Sequence, residues 1–548
     1  MIQSSPLAMF LKWEKEIPND LFLRQPVNGV WKQWTWQQAG EEIRKIASGL
    51  RSLNFPEKSH IALLSKNCAE WIICDLAIMM AGYISIPIYP TLTSISINPI
   101  LVHSDSKAII RGKLDDYNTQ KDGIPAGIIK ISMERYNISE EKTLEQMLAQ
   151  QMPLQEIYNW NQEDILSIIY TSGTTGKSKG VMHCVSAFDT VVQTAVTALA
   201  LPQRPVLFSY LPLSHIAERM GIELNALYSG GKISFAESLE NFPKNLTDTQ
   251  PQVFFAVPRI WAKFKEKILV KIPQKKLNQL LSIPFVSGLI KKKIRKNLGL
   301  ANASHIYSAA APLSLDILHW FDKLGIPICQ AYGMTEDCVY SHFCSPMANK
   351  YGTVGKPLPG IVVKIADDGE IRKKCAGDMK GYYKEPAMTA DTFDEAGYLK
   401  TGDIGEYDKD GYLLITGRVK DIFKTDKGKY ISPAPIELQL LSNTNIEHVC
   451  VVGTGVPQPM ALVTLSDGGK LKSKEEVAQI FSELISTINP ALEKFEMLEK
   501  IVIMKNSWTI ANGLITPTLK VKRNEIERMH LPKYPSWFEE KGLVILEK

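Results

Sequence analysis

Short apolar runs alternate with amphipathic stretches of helical length through most of the chain. The runs are IALLS (61–65), SIPIY (85–89), ILSIIYTSG (165–173), VLFSYLPLS (206–214), KISFA (232–236) and QVFFAVP (252–258). β-rich runs separated by helical segments predict α/β sheets with helices on their faces. The most membrane-like stretch is WIICDLAIMMAGYISIPIYP (71–90), but Asp75 sits inside it and Gly82, Pro87 and Pro90 would break a spanning helix. It reads instead as a buried helix to about Met80, a turn at Gly82 and a core strand over 83–89. On this reading the protein is not an integral membrane protein. The first twenty residues lack the leading basic region and cleavage site of a signal peptide.

The pattern changes near 397–440, where GYLKTGDIGEYDKDGYLLITGRVKDIF is dense in Gly and Asp, as hairpin turns require. Beyond it, apolar runs near 449–452, 460–465 and 500–503 suggest a compact α+β unit. The expected division is therefore 1–418 and 419–548. The fold class is α/β: a large N-terminal domain of β-sheets flanked by helices, plus a small C-terminal α+β domain.

Composition narrows the function. With 63 Lys and Arg against 58 Asp and Glu, the net charge is only +5 over 548 residues, too balanced for a nucleic-acid binder. The eight cysteines form no CxxC pair, a pattern that suits a reducing compartment and a cytoplasmic location. Cys338, His342 and Cys344 lack a fourth ligand at zinc spacing.

The most informative stretch is SIIYTSGTTGKSKGVM (167–182). A β run ends in three glycines, Gly173, Gly176 and Gly180, interleaved with Thr171, Ser172, Thr174, Thr175 and Ser178 and with Lys177 and Lys179. Glycines admit an anion close to the backbone, amides and hydroxyls donate to its oxygens, and lysines neutralise its charge. It is not a Walker A loop, because Gly173 and Gly176 are only three apart. The G-x-G of VVGTGVPQP (451–459) ends in proline where a dinucleotide fold needs Gly or Ala, and reads as a strand-to-turn element.

YTSGTTGKSKGVM resembles the phosphate-binding signature of the AMP-forming adenylating enzymes: acyl-CoA synthetases, firefly luciferases and peptide-synthetase adenylation domains. QAYGMTE (330–336), YLKTGD (398–403), GRVKDIFKT (417–425) and PTLKVKR (517–523) follow in the family's order. LPLSHIAER (211–219), VPRIW (257–261), SAAAPLS (308–314) and KGKYISPAPIE (427–437) resemble the long-chain fatty acyl-CoA synthetase branch.

The resemblance implies activation of a carboxylic acid by ATP, with release of pyrophosphate, and transfer of the acyl group to coenzyme A. Thr171, Ser172, Gly173, Thr174, Thr175, Gly176 and Lys177 would hold phosphates. Thr335 would bond the α-phosphate, Glu336 would hold Mg²⁺, and Tyr332 beside Gly333 would stack on adenine. Asp403 would accept from the ribose hydroxyls, with Arg418 on ribose or phosphate. Lys520 matches the lysine that reaches the adenylation site, and Lys420 the hinge between half-reactions. His215 would border the reacting carboxylate, while Trp261, Ala309, Ala310 and Ala311 would line the acyl pocket. Two departures stand out: Asp426-Lys427-Gly428 replaces a small-residue turn, and Leu519 precedes Lys520 where many relatives have glycine. Alternatives within this reading are another acid, loading of a carrier protein, or a non-catalytic nucleotide-binding protein.

Independently of the resemblance, 259–296 holds twelve basic residues opposed only by Glu266. Within it, 282–299 predicts a helix with Val286, Ile290, Ile294 and Leu298 as an apolar stripe opposite Lys291, Lys292, Arg295 and Lys296. Such a helix either packs on its domain with a solvated basic face or touches an anionic membrane.

Overall fold

The structure is a computed structural model that describes residues 4–172, 178–516 and 518–547. Its architecture is the expected α/β class, with a large sheet-containing N-terminal domain and a smaller C-terminal one. An eight-stranded sheet runs in the order Gly381–Tyr382, Ser178–Cys184, Ile165–Ser172, Ile84–Ile88, His60–Leu64, Ala108–Arg111, Ile129–Ser132 and Lys142–Thr143. From Ile165–Ser172 outward to Lys142–Thr143 the neighbours are parallel. Ile165–Ser172 pairs antiparallel with Ser178–Cys184, the strand that resumes after 173–177.

The run at 71–90 folds as read. The helix Ala69–Ala81 is almost wholly buried and stops at Gly82, whose φ of 83° is the left-handed conformation that a helix end takes. The strand Ile84–Ile88 follows, buried at every position. Apolar residues on all sides of a helix demand burial on all sides. The run at 206–214 is only half strand, Val206–Ser209. Beyond it Asn67 and Glu218 hold the backbone: Asn67 receives Leu213 N–H at 3.0 Å and Glu218 receives Tyr210 N–H at 2.9 Å.

A five-stranded sheet carries Val253–Ala256, His305–Ser308, Cys329–Tyr332, His342–Phe343 and Lys356–Pro357. A four-stranded sheet contains the expected Gly/Asp-rich hairpin, Leu399–Tyr407 against Leu413–Arg418. Downstream, Ile446–Val452, Met460–Leu465, Lys500–Ile503 and Val544–Leu546 form a further sheet, and 451–459 turns the chain between its first two strands. Two apolar clusters lie on this sheet, and among the described residues both are built from Phe423 onward. Arg259, on the helix Pro258–Lys271, forms an ion pair with Glu447 on Ile446–Val452.

The helix expected within 282–299 spans Val286–Asn297 and ends before Gly299, whose φ is 80°. Its stripe is turned inward: Ile294 belongs to a buried cluster, and Ile290 and Leu298 pack on that cluster. Arg295 is not a free basic group. It donates to the carbonyls of Ala303 at 2.9 Å and Gly325 at 3.0 Å. Among the described residues no helix is long and apolar enough to cross a membrane.

Candidate active site

Tyr332 ends a strand of the five-stranded sheet, and Asp403 lies on Leu399–Tyr407. Their side chains meet: the Tyr332 hydroxyl donates to Asp403 Oδ2 at 2.7 Å. Arg418, at the end of the paired strand, donates from Nε to Asp403 Oδ1 at 2.6 Å. The turn that presents Asp403 is itself held, with Asp403 N–H donating to Thr401 Oγ1 at 3.1 Å and Gly402 N–H to Glu370 at 3.0 Å. Each Asp403 oxygen keeps a second lone pair, so the carboxylate can still accept from a diol.

Gly333 follows Tyr332 because nothing larger fits: a Cβ there would lie 2.7 Å from the Val339 backbone. The short 3₁₀ turn Thr335–Asp337 comes next, with Thr335 buried. Glu336 accepts from the Tyr382 hydroxyl at 2.8 Å. Burial raises its pKa, with the Tyr382 hydrogen bond and Lys179 opposing. Lys179 also sits 4.9 Å from the centre of the Tyr382 ring. The strand after the phosphate loop is thereby tied to the carboxylate.

Behind the turn, Asp337 accepts from Met334 N–H at 2.9 Å and pairs with the buried Lys373 at 3.0 Å. Lys373 also donates to the Tyr340 carbonyl at 3.0 Å. Neither Tyr382 nor Lys373 stands out in the sequence, because each meets its partner across 36 or more residues. A sequence-local signal could have come only from Asp337, an acidic neighbour too common to mark.

Lys520 reaches this group from the C-terminal domain. Its pKa is lowered, first by desolvation and then by Arg418, while Asp403 and Glu336 act in the opposite sense. Lys520 is exposed to water and lies within electrostatic reach of Arg418, Asp403 and Glu336. A turn fixes it, with Thr516 N–H donating to the Lys520 carbonyl at 2.8 Å. Leu519 in that turn has φ 64°, the left-handed conformation that glycine takes at no steric cost.

His215 lies at the same crevice. Burial, and then Lys520, push its pKa down to about 3. The ring is neutral, and its Nδ1 accepts from Ala217 N–H at 3.1 Å, which leaves the hydrogen on Nε2. Nearby Glu218 is pushed up to about 8 by burial despite hydrogen bonds from Ser209 and Tyr210.

The remaining candidates have these surroundings. Trp261 is wholly buried, edge-on to Phe254, Phe264 and Phe321 at 5.7, 5.9 and 5.2 Å. Ala309 is buried, Ala310 takes φ 73°, and Ala311 is exposed. Lys420 is exposed in the 3₁₀ turn Val419–Asp421. Thr171 is next to last in its strand, half-buried; Gly173, Thr174, Thr175, Gly176 and Lys177, with the side chain of Ser172, lie outside the described residues. Cys338, His342 and Cys344 have separate partners: His183 at 3.2 Å, Tyr407 at 2.7 Å and Thr353 at 3.8 Å.

The family described as AMP-binding enzyme matches residues 12–383, and the AMP-binding enzyme C-terminal domain matches 420–530. The chain belongs to the AMP-binding enzyme family. Relatives within or beside this family include the long-chain-fatty-acid–CoA ligase FadD15 of Mycobacterium bovis, 28% identical over 95% of this chain and 94% of that one. The long-chain-fatty-acid–CoA ligase 5 of Rattus norvegicus is also 28% identical, over 94% and 85%. Among solved structures, the anthranilate CoA ligase AuaEII with anthranoyl-AMP superposes with a TM-score of 0.80 at 20% identity, covering 98% and 99%. The adenylation domain of a carboxylate reductase from Mycobacterium chelonae gives 0.80 at 17%, covering 98% and 92%. The architecture of this AMP-binding enzyme is thus the adenylation fold.

Proposed function

We propose that the chain is an AMP-forming acid–thiol ligase acting on a fatty acid, long-chain by preference. The carboxylate oxygen attacks the α-phosphorus of ATP, giving acyl-AMP and pyrophosphate. The coenzyme A thiol then adds to the acyl carbon and loses its proton, and AMP leaves. The observation that carries this reading is the convergence of Lys520 with Arg418, Asp403 and Glu336. The first step brings one anion onto another, so placed cations must offset the charge that builds up.

In this scheme Asp403 accepts from the ribose diol, and Tyr332 and Arg418 hold its carboxylate in place. Tyr332 and Gly333 border the base. Thr335 donates to the α-phosphate, and Lys520 offsets charge there. Neutral His215 offers Nε2–H to the acid's carboxylate. The phosphate loop, 171–177, takes the β- and γ-phosphates. Lys420 is the pivot, and the domain boundary at 418/419 is favoured by apolar clusters that begin at Phe423.

Mg²⁺ fits the residues present. Glu336 offers one carboxylate oxygen with its other oxygen accepting from Tyr382, and no group of three His, Cys, Asp or Glu among the described residues could cage a metal alone. That donor set suits an ion held mainly by phosphates and water. When bound, Mg²⁺ would neutralise phosphate charge beside Glu336.

The acyl side rests on the sequence relatives named for long-chain acids and on the small residues Ala309 to Ala311. The eight cysteines are free, in keeping with a reducing, cytoplasmic setting. The test is ATP–pyrophosphate exchange and thioester formation across a fatty-acid length series, with coenzyme A as acceptor. Maximal turnover on long chains is expected. Exchange with aromatic or short acids alone would overturn the substrate, and no exchange with any acid would overturn the reaction.

A further inference from the structure

The corner between the helices Gln274–Ser282 and Val286–Asn297 presents large apolar side chains to water. Phe285 is 92% exposed, Leu289 69% and Ile283 47%. Scattered exposed hydrophobes are ordinary; this set is not scattered, because Phe285 and Leu289 are one turn apart and Ile283 adjoins them. Phe285 also holds φ 65° and ψ −47°. A non-glycine residue rarely keeps that conformation, and here it sets an aromatic ring outward where solvent gives it nothing to pack on.

The same helical stripe continues into charge. At about 100° per residue, Leu289, Lys292, Lys293 and Lys296 fall within one arc of the helix that Phe285 precedes. All five residues are exposed, and the four helical ones lie opposite the inward stripe of Ile290 and Ile294. Lys275 and Lys276 on the preceding helix are exposed too. Among the described residues no salt bridge ties any of these lysines to a carboxylate; the basic residue of the segment that is so tied is Arg259.

We propose that this corner is a membrane-docking surface, with Phe285, Leu289 and Ile283 entering the interface of an anionic bilayer and Lys292, Lys293 and Lys296 meeting its headgroups. An aromatic and aliphatic tip bordered by lysines has both contributions that interfacial binding uses, buried apolar area and attraction to acidic lipid. Neither contribution alone explains why a strained phenylalanine is kept at the tip. The inference does not depend on the acid that the enzyme activates.

The test is flotation of the full-length protein with phosphatidylglycerol–phosphatidylcholine vesicles, beside vesicles of phosphatidylcholine alone. Binding to the acidic vesicles at low salt is expected, weakening as salt screens the lysines. Replacing Lys292, Lys293 and Lys296 together by Gln should weaken it on the order of a hundredfold. Phe285→Gly should also weaken binding while leaving thermal stability unchanged or raised, since glycine accepts the positive φ. Turnover on soluble substrate should stay at the parent level in both variants. Parent-like binding by either variant, absence of binding to acidic vesicles, or a parental dimer that Phe285→Gly dissolves would each overturn the proposal.

Discussion

Tyr382 donates its hydroxyl hydrogen to Glu336 at 2.8 Å, across the boundary between two sheets. Glu336 is carried by the turn between the strands Cys329–Tyr332 and His342–Phe343 of the five-stranded sheet, and Tyr382 by the edge strand of the eight-stranded one. The bond favours the ionised carboxylate against the burial that raises its pKa. Tyr382→Phe should therefore leave Glu336 more often protonated near neutral pH. A drop in ATP–pyrophosphate exchange of roughly tenfold is expected, the value of one hydrogen bond to a charged group. The Mg²⁺ concentration for half-maximal rate should rise with it. An unchanged Mg²⁺ dependence would detach Tyr382 from the metal site.

Lys520 supplies the second prediction. Lys520→Ala should lower acyl-adenylate formation a hundredfold or more, about 3–4 kcal/mol for one aimed cation. Thioester formation from supplied acyl-AMP should survive. Because desolvation and Arg418 lower the Lys520 pKa, adenylation in the parent should fall as pH rises through that lowered value, below the usual lysine range. Lys520→Arg stays charged throughout, so whatever rate it retains should lack this alkaline decline. Equal loss of both half-reactions in Lys520→Ala would reassign the residue.

Lys420 lies in the turn Val419–Asp421 and is the first residue of the C-terminal family match. Lys420→Pro fixes φ near −65° and removes a backbone donor. As a pivot, it should slow thioester formation more than pyrophosphate exchange in the same preparation. Equal rates to the parent in both assays would place the pivot elsewhere.

His183 makes stability depend on pH. It is fully buried, and desolvation followed by Arg219 holds its pKa at about 3. The folded ring stays neutral while the unfolded one gains a proton below its ordinary value of 6.5. A depressed histidine pKa thus gives stability that is present above 6.5 and is lost as pH falls from there toward 3. Between about pH 7.5 and 5.5 this one group should cost about 1.4 kcal/mol of unfolding free energy. Denaturant titrations of His183→Gln should show a pH dependence shallower by about that amount. A parallel slope would mean that His183 is not neutral in the fold.

Much of this architecture was legible from local pattern. The helix Ala69–Ala81 and its Gly82 stop follow from an all-round apolar run ended by a glycine. The strands Met460–Leu465 and Lys500–Ile503 fall on the positions that their apolar runs predict. The site was legible only as motifs. AYGMTE and TGD announce Tyr332 and Asp403, but nothing local says that the two touch. Tyr382 and Lys373 left no trace, since their roles arise where one sheet crosses another. Trp261 meets Phe254, Phe264 and Phe321 edge-on, contacts that no local pattern announces. The basic helix turned its regular stripe inward. Its outward apolar residues, Phe285 and Leu289, are too few to register as a period.

The ion pair of Arg259 with Glu447 joins the large domain to the strand Ile446–Val452. That strand and the Lys520 turn belong to one packed body: Arg523 donates to the Val451 carbonyl at 2.5 Å, and Leu514 and Ile515 share a cluster with Cys450. Withdrawing Lys520 as one unit with that strand therefore parts Arg259 from Glu447. A pair this near water is worth roughly 1 kcal/mol or less, so the arrangement is held by a weak latch. Under the proposed swivel at Lys420, dissolved salt would then ease that withdrawal by screening a pair that has no part in the proposed chemistry.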